Sequence, residues 1–92
     1  MLGIALSDFH DAMEIAVDAG EAKNAEAVIA AYPEADARLR IVEEAANDED
    51  IQLIRKNLEA LKLSAENNRL EDLVRQGADL KSSYIKVYLK RG

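Results

Sequence analysis

The stretch IQLIRKNLEALKLSA, residues 51–65, decides the fold. Apolar side chains recur in it at alternating steps of three and four positions, at Ile51, Ile54, Leu58, Leu61 and Ala65. We call these five residues the seam. An α-helix turns once in about 3.6 residues, so the seam predicts a helix that packs through one face. Arg55 and Glu59, four positions apart beside the seam, are expected to form an ion pair. The seam is too short to indicate a coiled coil.

Composition favours helix over sheet in the rest of the chain as well. The 92 residues include 16 alanines and 11 leucines, no threonine and one proline. Alanine and leucine are strong helix formers, whereas strands are enriched in threonine and other β-branched residues. Hydrophobic residues make up 49% of the chain, which is too much apolar material for a disordered segment. We therefore expect a single helical domain over residues 1–92.

Capping and breaking residues predict where the first helices begin and end. Ser7 or Asp8 is expected to cap a first helix that ends at Gly20, because these residue types favour the two ends of helices. Pro33 is expected to stop a second helix at Tyr32, since proline disfavours the helical conformation in the residue before it.

Two polar breaks are predicted farther along the chain. Residues 47–50 (NDED) are expected to separate a third helix, which ends at Ala46, from the seam helix. Asn67 and Asn68 are expected to end the seam helix. A short helix over residues 70–74 would follow, capped by Gly77.

The two ends of the chain carry a strand pattern, and a helix also fits the C-terminal end. Residues 2–7 alternate between large apolar residues and small ones, and residues 84–90 (YIKVYLK) alternate between apolar residues and lysine or tyrosine. A period of two is typical of a strand. However, Tyr84 with Tyr88 and Ile85 with Leu89 are also spaced four apart, as on a helix. Residues 84–90 are left open between the two structures.

The predicted fold is all-α, a compact bundle or short stack of four to six antiparallel helices, with short terminal strands as an option. Residues 61–79 resemble an ankyrin repeat in the run AENNRLE over residues 65–71 and in GAD over residues 77–79. They depart from it in lacking the Thr-Pro-Leu-His opening. The resemblance implies a stack of short helical hairpins, and no functional residue is carried over from it.

The charge distribution argues against several classes of partner. The net charge of −6 is uneven, because residues 1–60 hold 14 acids and 5 bases, whereas residues 61–92 hold 4 acids and 7 bases. An acidic body repels phosphate, so binding to nucleic acid or to an anionic membrane is not expected. The basic end is expected to contact an acidic partner or the acidic body of its own fold; its cations are Lys81, Lys86, Lys90 and Arg91.

No disulfide, thiolate metal site or membrane span is expected either. The chain has no cysteine, and the apolar run at its start lasts only six residues without a basic leader. A signal peptide needs a longer apolar region, and a membrane-spanning helix needs about 20 residues. A reducing, cytoplasmic location is the default expectation.

Few residues are candidates for chemistry. His10, the single histidine, stands near Asp11 and Glu14, which would suit a metal ion or an acid–base group. One imidazole beside carboxylates is nevertheless ordinary on a helix surface. Ser7 near His10 suggests a nucleophile, but its better explanation is a helix cap, and no glycine-rich loop accompanies it.

Two further patterns have ordinary explanations. Residues 48–59 place acids at several positions of a calcium-binding loop, but position six, which requires glycine, is Leu53. Helix capping explains these acids better. Tyr84 and Tyr88 among basic residues suggest stacking on single-stranded nucleic acid, although packing explains them better. We therefore predict no catalytic, cofactor-binding or metal-binding residue and no cofactor.

The predicted function is a non-enzymatic scaffold or regulatory module that binds a protein partner, or a second copy of itself, through a helix face. This prediction is made by elimination, since fold class alone assigns no function. The seam and the apolar chain ends motivate the self-association. The alternatives are a designed protein without biochemical activity and a small acidic inhibitor that mimics nucleic acid and blocks a basic channel of a partner enzyme.

Overall fold

Four α-helices make up the described part of the chain. The computed structural model describes residues 2–91, with side chains through residue 90. The helices are α1 (Leu2–Glu21), α2 (Ala25–Ala45), α3 (Glu49–Glu66) and α4 (Leu70–Arg91). Each helix packs against the next, and α4 packs back against α1. Short turns make neighbouring helices antiparallel, so the molecule is an up-down-up-down four-helix bundle. The all-α prediction is confirmed, with the helix number at the low end of the expected range.

The α1–α2 and α3–α4 turns are built in the same way. In each, two backbone N–H groups reach back to carbonyls of the last helical turn, which is the Schellman pattern. The residues in the left-handed conformation are Lys23, with φ of 56°, and Asn68, with φ of 57°. Asn24 then caps α2, because its side-chain oxygen accepts a hydrogen bond from the N–H of Ala27.

The core lies along the axis shared by all four helices. The seam residues of α3 are all buried, as the periodicity predicted. Because the seam faces inward, it offers no surface for self-association. The largest side chains packed with it, none more than 1% exposed, are Leu6, Phe9, Met13, Val17, Val28, Leu39, Leu73 and Leu80. Burial of this apolar surface is the main force that stabilises the bundle.

Two predicted helix boundaries, the start of α1 and the stop at Pro33, are wrong. Helix α1 begins at Leu2 rather than after Ser7 or Asp8, and α2 continues through Pro33 to Ala45. Proline disfavours a helix locally. However, α2 buries apolar side chains both before Pro33, at Val28, and after it, at Ala35 and Leu39. That burial outweighs the lost backbone hydrogen bond. Predicted helices two and three are therefore one helix.

Gly77 does not cap a short helix, because α4 runs through it to Arg91. Gly77 instead lies against α1, where an added Cβ would be 3.5 Å from the Val17 carbonyl oxygen, an ordinary contact distance. A 22-residue helix in this place also contradicts the stack of short hairpins that the ankyrin resemblance implies. The breaks predicted after residue 46 and at residues 67–68 are confirmed.

Both chain ends are helical within residues 2–91, so the strand alternative is wrong. On α4, Leu80, Tyr84 and Val87 face the core at helical spacing. The Tyr84 hydroxyl donates a hydrogen bond to the Leu6 carbonyl at 3.1 Å and joins the two terminal helices. The alternating pattern would place Ile85, Val87 and Leu89 together on one face of a strand. On the helix, Val87 is buried whereas Ile85 and Leu89 are exposed.

Candidate functional site

His10 lies on α1 at its border with α4. Its Nε2 is 3.3 Å from Glu14 Oε1, and its Nδ1 is 3.9 Å from an Asp11 oxygen. The ring centroid lies 5.1 Å from that of Tyr84. Ser7 and His10 both line a depression of about 340 Å³ with Tyr84, but no hydrogen bond within the described residues joins the Ser7 hydroxyl to the imidazole. The group is an exposed polar border between two helices rather than an assembled catalytic pair.

The acids of the calcium-loop pattern point to different partners. Asp48 caps α3 and accepts hydrogen bonds from the N–H groups of Asp50 and Ile51. Asp50 holds two lysines of α4, and Glu59 lies more than two turns away on α3. Within residues 2–91, no three metal-ligating side chains are grouped to hold a metal ion. The acids of this stretch cap α3 and pair with cations.

The basic end of the chain contacts the acidic body of its own fold, one of the two expected arrangements. Lys86 Nζ and Lys90 Nζ lie 3.5 and 3.0 Å from the carboxylate oxygens of Asp50, and Lys81 Nζ lies 3.7 Å from Glu14. The lysines, chiefly Lys90, hold the pKa of Asp50 below its ordinary value. The Arg91 side chain lies outside the described residues. Three cations of this segment are thus engaged within the bundle.

One cluster of titratable groups lies between α2 and α3. The Arg55 guanidinium, 22% exposed, donates two hydrogen bonds to Glu43, at 2.9 and 3.1 Å. It also donates to Asp36 at 2.6 Å and to Glu59 at 2.8 Å, which confirms the predicted pair with Glu59. The Tyr32 hydroxyl donates to the same Glu59 carboxylate. We call these five residues the Arg55 network.

The pKa shifts in the Arg55 network have identifiable causes. Burial raises the pKa of Tyr32, and its hydrogen bond to Glu59 raises it further. Burial alone would raise the pKa of Asp36, but the hydrogen bond and charge of Arg55 outweigh that effect and hold it below its ordinary value. The hydrogen bond to Glu43 leads the causes that raise the pKa of Arg55. Since three carboxylates share one cation, the network suits joining α2 to α3 better than transferring protons.

The outer face of α1 carries a different pattern. Spaced at steps of four and three along it are Ile4, Asp8, Asp11, Ile15 and Asp18, which we call the α1 stripe. Ile4 is 62% exposed and Ile15 is 64% exposed. A helix rises about 1.5 Å per residue, so these isoleucines stand about 16 Å apart on the same side. Two apolar side chains with aspartates between them thus face solvent.

Within the described side chains, the carboxylates of the α1 stripe have no lysine or arginine partner. Helix α1 contains five acids and neither lysine nor arginine. Across residues 2–90, no lysine or arginine side chain lies within ion-pair distance of Asp8, Asp11 or Asp18, and Asp11 has only the His10 ring nearby, at 3.9 Å. The backbone carbonyl of Asp8, rather than its carboxylate, accepts a hydrogen bond from Arg38. The α1 stripe is therefore apolar and negatively charged.

A depression of about 450 Å³ adjoins the α1 stripe, between α1 and α2. Its lining residues are Ala5, Asp8, Asp11, Glu34, Ala37, Arg38 and Ile41. Ile41 is 56% exposed, and the two alanines leave space for an incoming side chain. The single cation, Arg38, is held by Glu34 at 2.9 Å. The depression thus continues the acidic and apolar character of the α1 stripe.

Sequence reasoning missed this surface. The strand pattern of residues 2–7 included Ile4, whereas Ile4 and Ile15 are both exposed on one helix. The available signal was the eleven-residue interval between the two isoleucines, three helical turns, in a segment without a basic residue.

None of the described helices has the length and apolar character needed to cross a membrane. No protein family, no curated protein and no solved structure shows a significant match to this chain. Its function is therefore inferred from its own residues.

Proposed function

We propose that this chain is a non-enzymatic binding module that recognises a protein partner through the outer face of α1. The observation that carries the proposal is the exposure of Ile4 and Ile15, each more than 60%, on a helix whose opposite face already fills the core. Single exposed apolar residues are ordinary, but an aligned pair beside a depression matches the anchor pattern of helix-mediated recognition.

The other polar groups support this choice of surface. The Arg55 network and the lysines that hold Asp50 form ion pairs within the bundle. The α1 stripe differs, because its carboxylates form no ion pair with the lysines and arginines of residues 2–90. Surface groups not used for folding are the better candidates for recognition.

Affinity capture with matched variants tests the proposal. Ile15→Gln removes an apolar side chain from the α1 stripe, and Leu63→Gln removes one of similar exposure, 59%, from α3. Both positions are exposed, so either change alters stability by less than about 0.5 kcal/mol. A specific partner is retained by the parent protein and by Leu63→Gln and is lost by Ile15→Gln. Equal retention by all three would contradict the proposal.

A second candidate is the small acidic inhibitor that occupies a basic nucleic-acid channel. The observation in its favour is the row of aspartates on α1 without lysine or arginine partners. Against it, Ile15 interrupts the row and Ile4 precedes it, whereas a phosphate mimic needs continuous charge.

Salt dependence separates the two candidates. Exposed charges are screened beyond about 8 Å at physiological ionic strength. A mimic that relies on charge alone loses its partner steeply as salt rises and tolerates Ile15→Gln. A module anchored by isoleucines keeps part of its affinity in high salt and does not tolerate that change.

A further inference from the structure

We infer that the partner of the α1 stripe is a basic amphipathic helix, with apolar anchors about three turns apart and lysine or arginine between them. The inference rests on the proposed function and specifies the chemistry of its partner.

The dimensions of the α1 stripe fit one helix. From Ile4 to Asp18 it spans 14 residues, or about 21 Å of helix. A facing helix about 10 Å wide covers this length. Ile4 and Ile15 would contact its apolar side chains, and the depression beside Ile41 would accept one more at its edge. The α1 stripe would therefore recognise apolar anchor side chains on one face of the partner helix.

The negative charge of the α1 stripe favours a basic partner helix. Asp8, Asp11 and Asp18 lie between and beyond the two isoleucines, and Glu34 stands across the depression. A neutral or acidic helix would leave the three aspartates desolvated without a lysine or arginine partner, which is unfavourable. Lysine or arginine at the facing positions forms charge-assisted hydrogen bonds with them.

A second copy of this chain fits the surface less well. If two α1 helices faced each other, their aspartates would meet without a lysine or arginine on either helix. The lysines of α4, which could offer complementary charge, are engaged by Asp50 and Glu14.

The position of Asp18 on α1 also indicates a positively charged partner. It lies in the last turn of α1, where the helix dipole disfavours negative charge, and four residues after Glu14, a like charge. Both effects oppose folding. An acid in this place, with no cation near it among the described residues, is explained by contact with a positively charged partner.

The test uses the full chain and a synthetic peptide of about 18 residues, long enough to show measurable helicity. The peptide repeats the spacing of the α1 stripe in reverse order, because neighbouring helices in such bundles pack antiparallel. Leucine replaces each isoleucine, arginine replaces each aspartate, and alanine and glutamine fill the remainder. Its affinity is measured by fluorescence anisotropy at about 50 mM and about 300 mM salt. A matched peptide carries glutamate in place of arginine.

The expected result is saturable binding of the arginine peptide and none of the glutamate peptide. Ile15→Gln weakens binding about tenfold, and Leu63→Gln changes it less than about twofold. Asp18→Lys weakens binding at low salt without lowering the melting temperature, so its effect cannot come from unfolding. Higher salt weakens binding to the parent protein more than binding to Asp18→Lys.

Three results would overturn the inference: no saturable binding at about 1 mM peptide, equal binding of both peptides, or a dimer of the parent chain that Ile15→Gln dissociates. These results are distinct from failure of the proposed function. If the peptide fails while Ile15→Gln still loses a captured protein, the surface is correct and the partner chemistry is wrong. If Ile15→Gln loses nothing in either experiment, both proposals fall.

Discussion

Replacing Arg55 by methionine tests whether the Arg55 network joins α2 to α3. Methionine keeps an unbranched apolar stem but removes the guanidinium and its four hydrogen bonds to Asp36, Glu43 and Glu59. The three carboxylates then lie close together without their shared cation. We expect the variant to fold, because the seam and the rest of the core are unchanged.

The magnitude follows from burial. Breaking a fully buried ion pair costs about 3–5 kcal/mol, whereas an exposed pair contributes about 0–1 kcal/mol. The Arg55 side chain is 22% exposed and Glu59 is 41% exposed, so solvent screens part of the interaction. We expect Arg55→Met to lower the free energy of unfolding by about 2 kcal/mol at pH 7, which is about 10 °C in melting temperature for a domain of this size.

The pH dependence has a definite sign. The pKa of Asp36 is lowered in the folded protein, so its contribution to stability is complete above the unfolded pKa of about 3.9 and is lost as pH falls through the lower folded value. Without Arg55, the pKa of Asp36 rises from this lowered value, because its burial is then opposed only by Arg40 and by the Tyr32 hydroxyl. The variant therefore gains stability relative to the parent as pH falls from 7 towards 4.

Urea unfolding followed by circular dichroism at pH 7, 5 and 4 measures both effects. A second variant, Arg55→Met with Glu43→Gln, should recover part of the loss because it removes one unpaired carboxylate. The reasoning is refuted if Arg55→Met loses less than about 0.5 kcal/mol at pH 7, the range of ordinary surface changes. It is equally refuted if the difference from the parent grows as pH falls.

Four other predictions concern single positions and are checked by thermal and urea unfolding. Gly20→Ala destabilises the protein by about 1–2 kcal/mol, because its Cβ would lie 3.0 Å from the Leu73 carbonyl oxygen. Gly77→Ala instead stabilises it by up to about 1 kcal/mol through helix propensity, since its nearest neighbour would be 3.5 Å away; equal signs for the two glycines would contradict the packing described. Asn68→Gly should add about 0.5–1 kcal/mol by relieving a left-handed residue, and a loss there would show that the turn differs. Asp18→Lys should add about 0.5 kcal/mol at low salt through the dipole of α1, an increment that high salt should reduce.

The candidate site was less accessible to sequence reasoning than the core. Periodicity shows which residues share a helix face, and it identified the buried seam correctly. It does not show which of several apolar faces is buried. On α1, both Val17 and Ile15 are apolar, and only the positions of α2 and α4 against α1 bury Val17 and leave Ile15 in solvent.

The sequence of residues 1–92 determined by itself the helix content, the inward face of α3, and the two polar breaks that separate α2, α3 and α4. These features depend only on neighbours within a few positions. Tertiary packing decided the rest. It carried α2 through Pro33, placed Gly77 against Val17, and brought Arg55 to Glu43 across two helices. Each outcome depends on the free energy of burying one helix against another, and a local pattern does not contain that quantity.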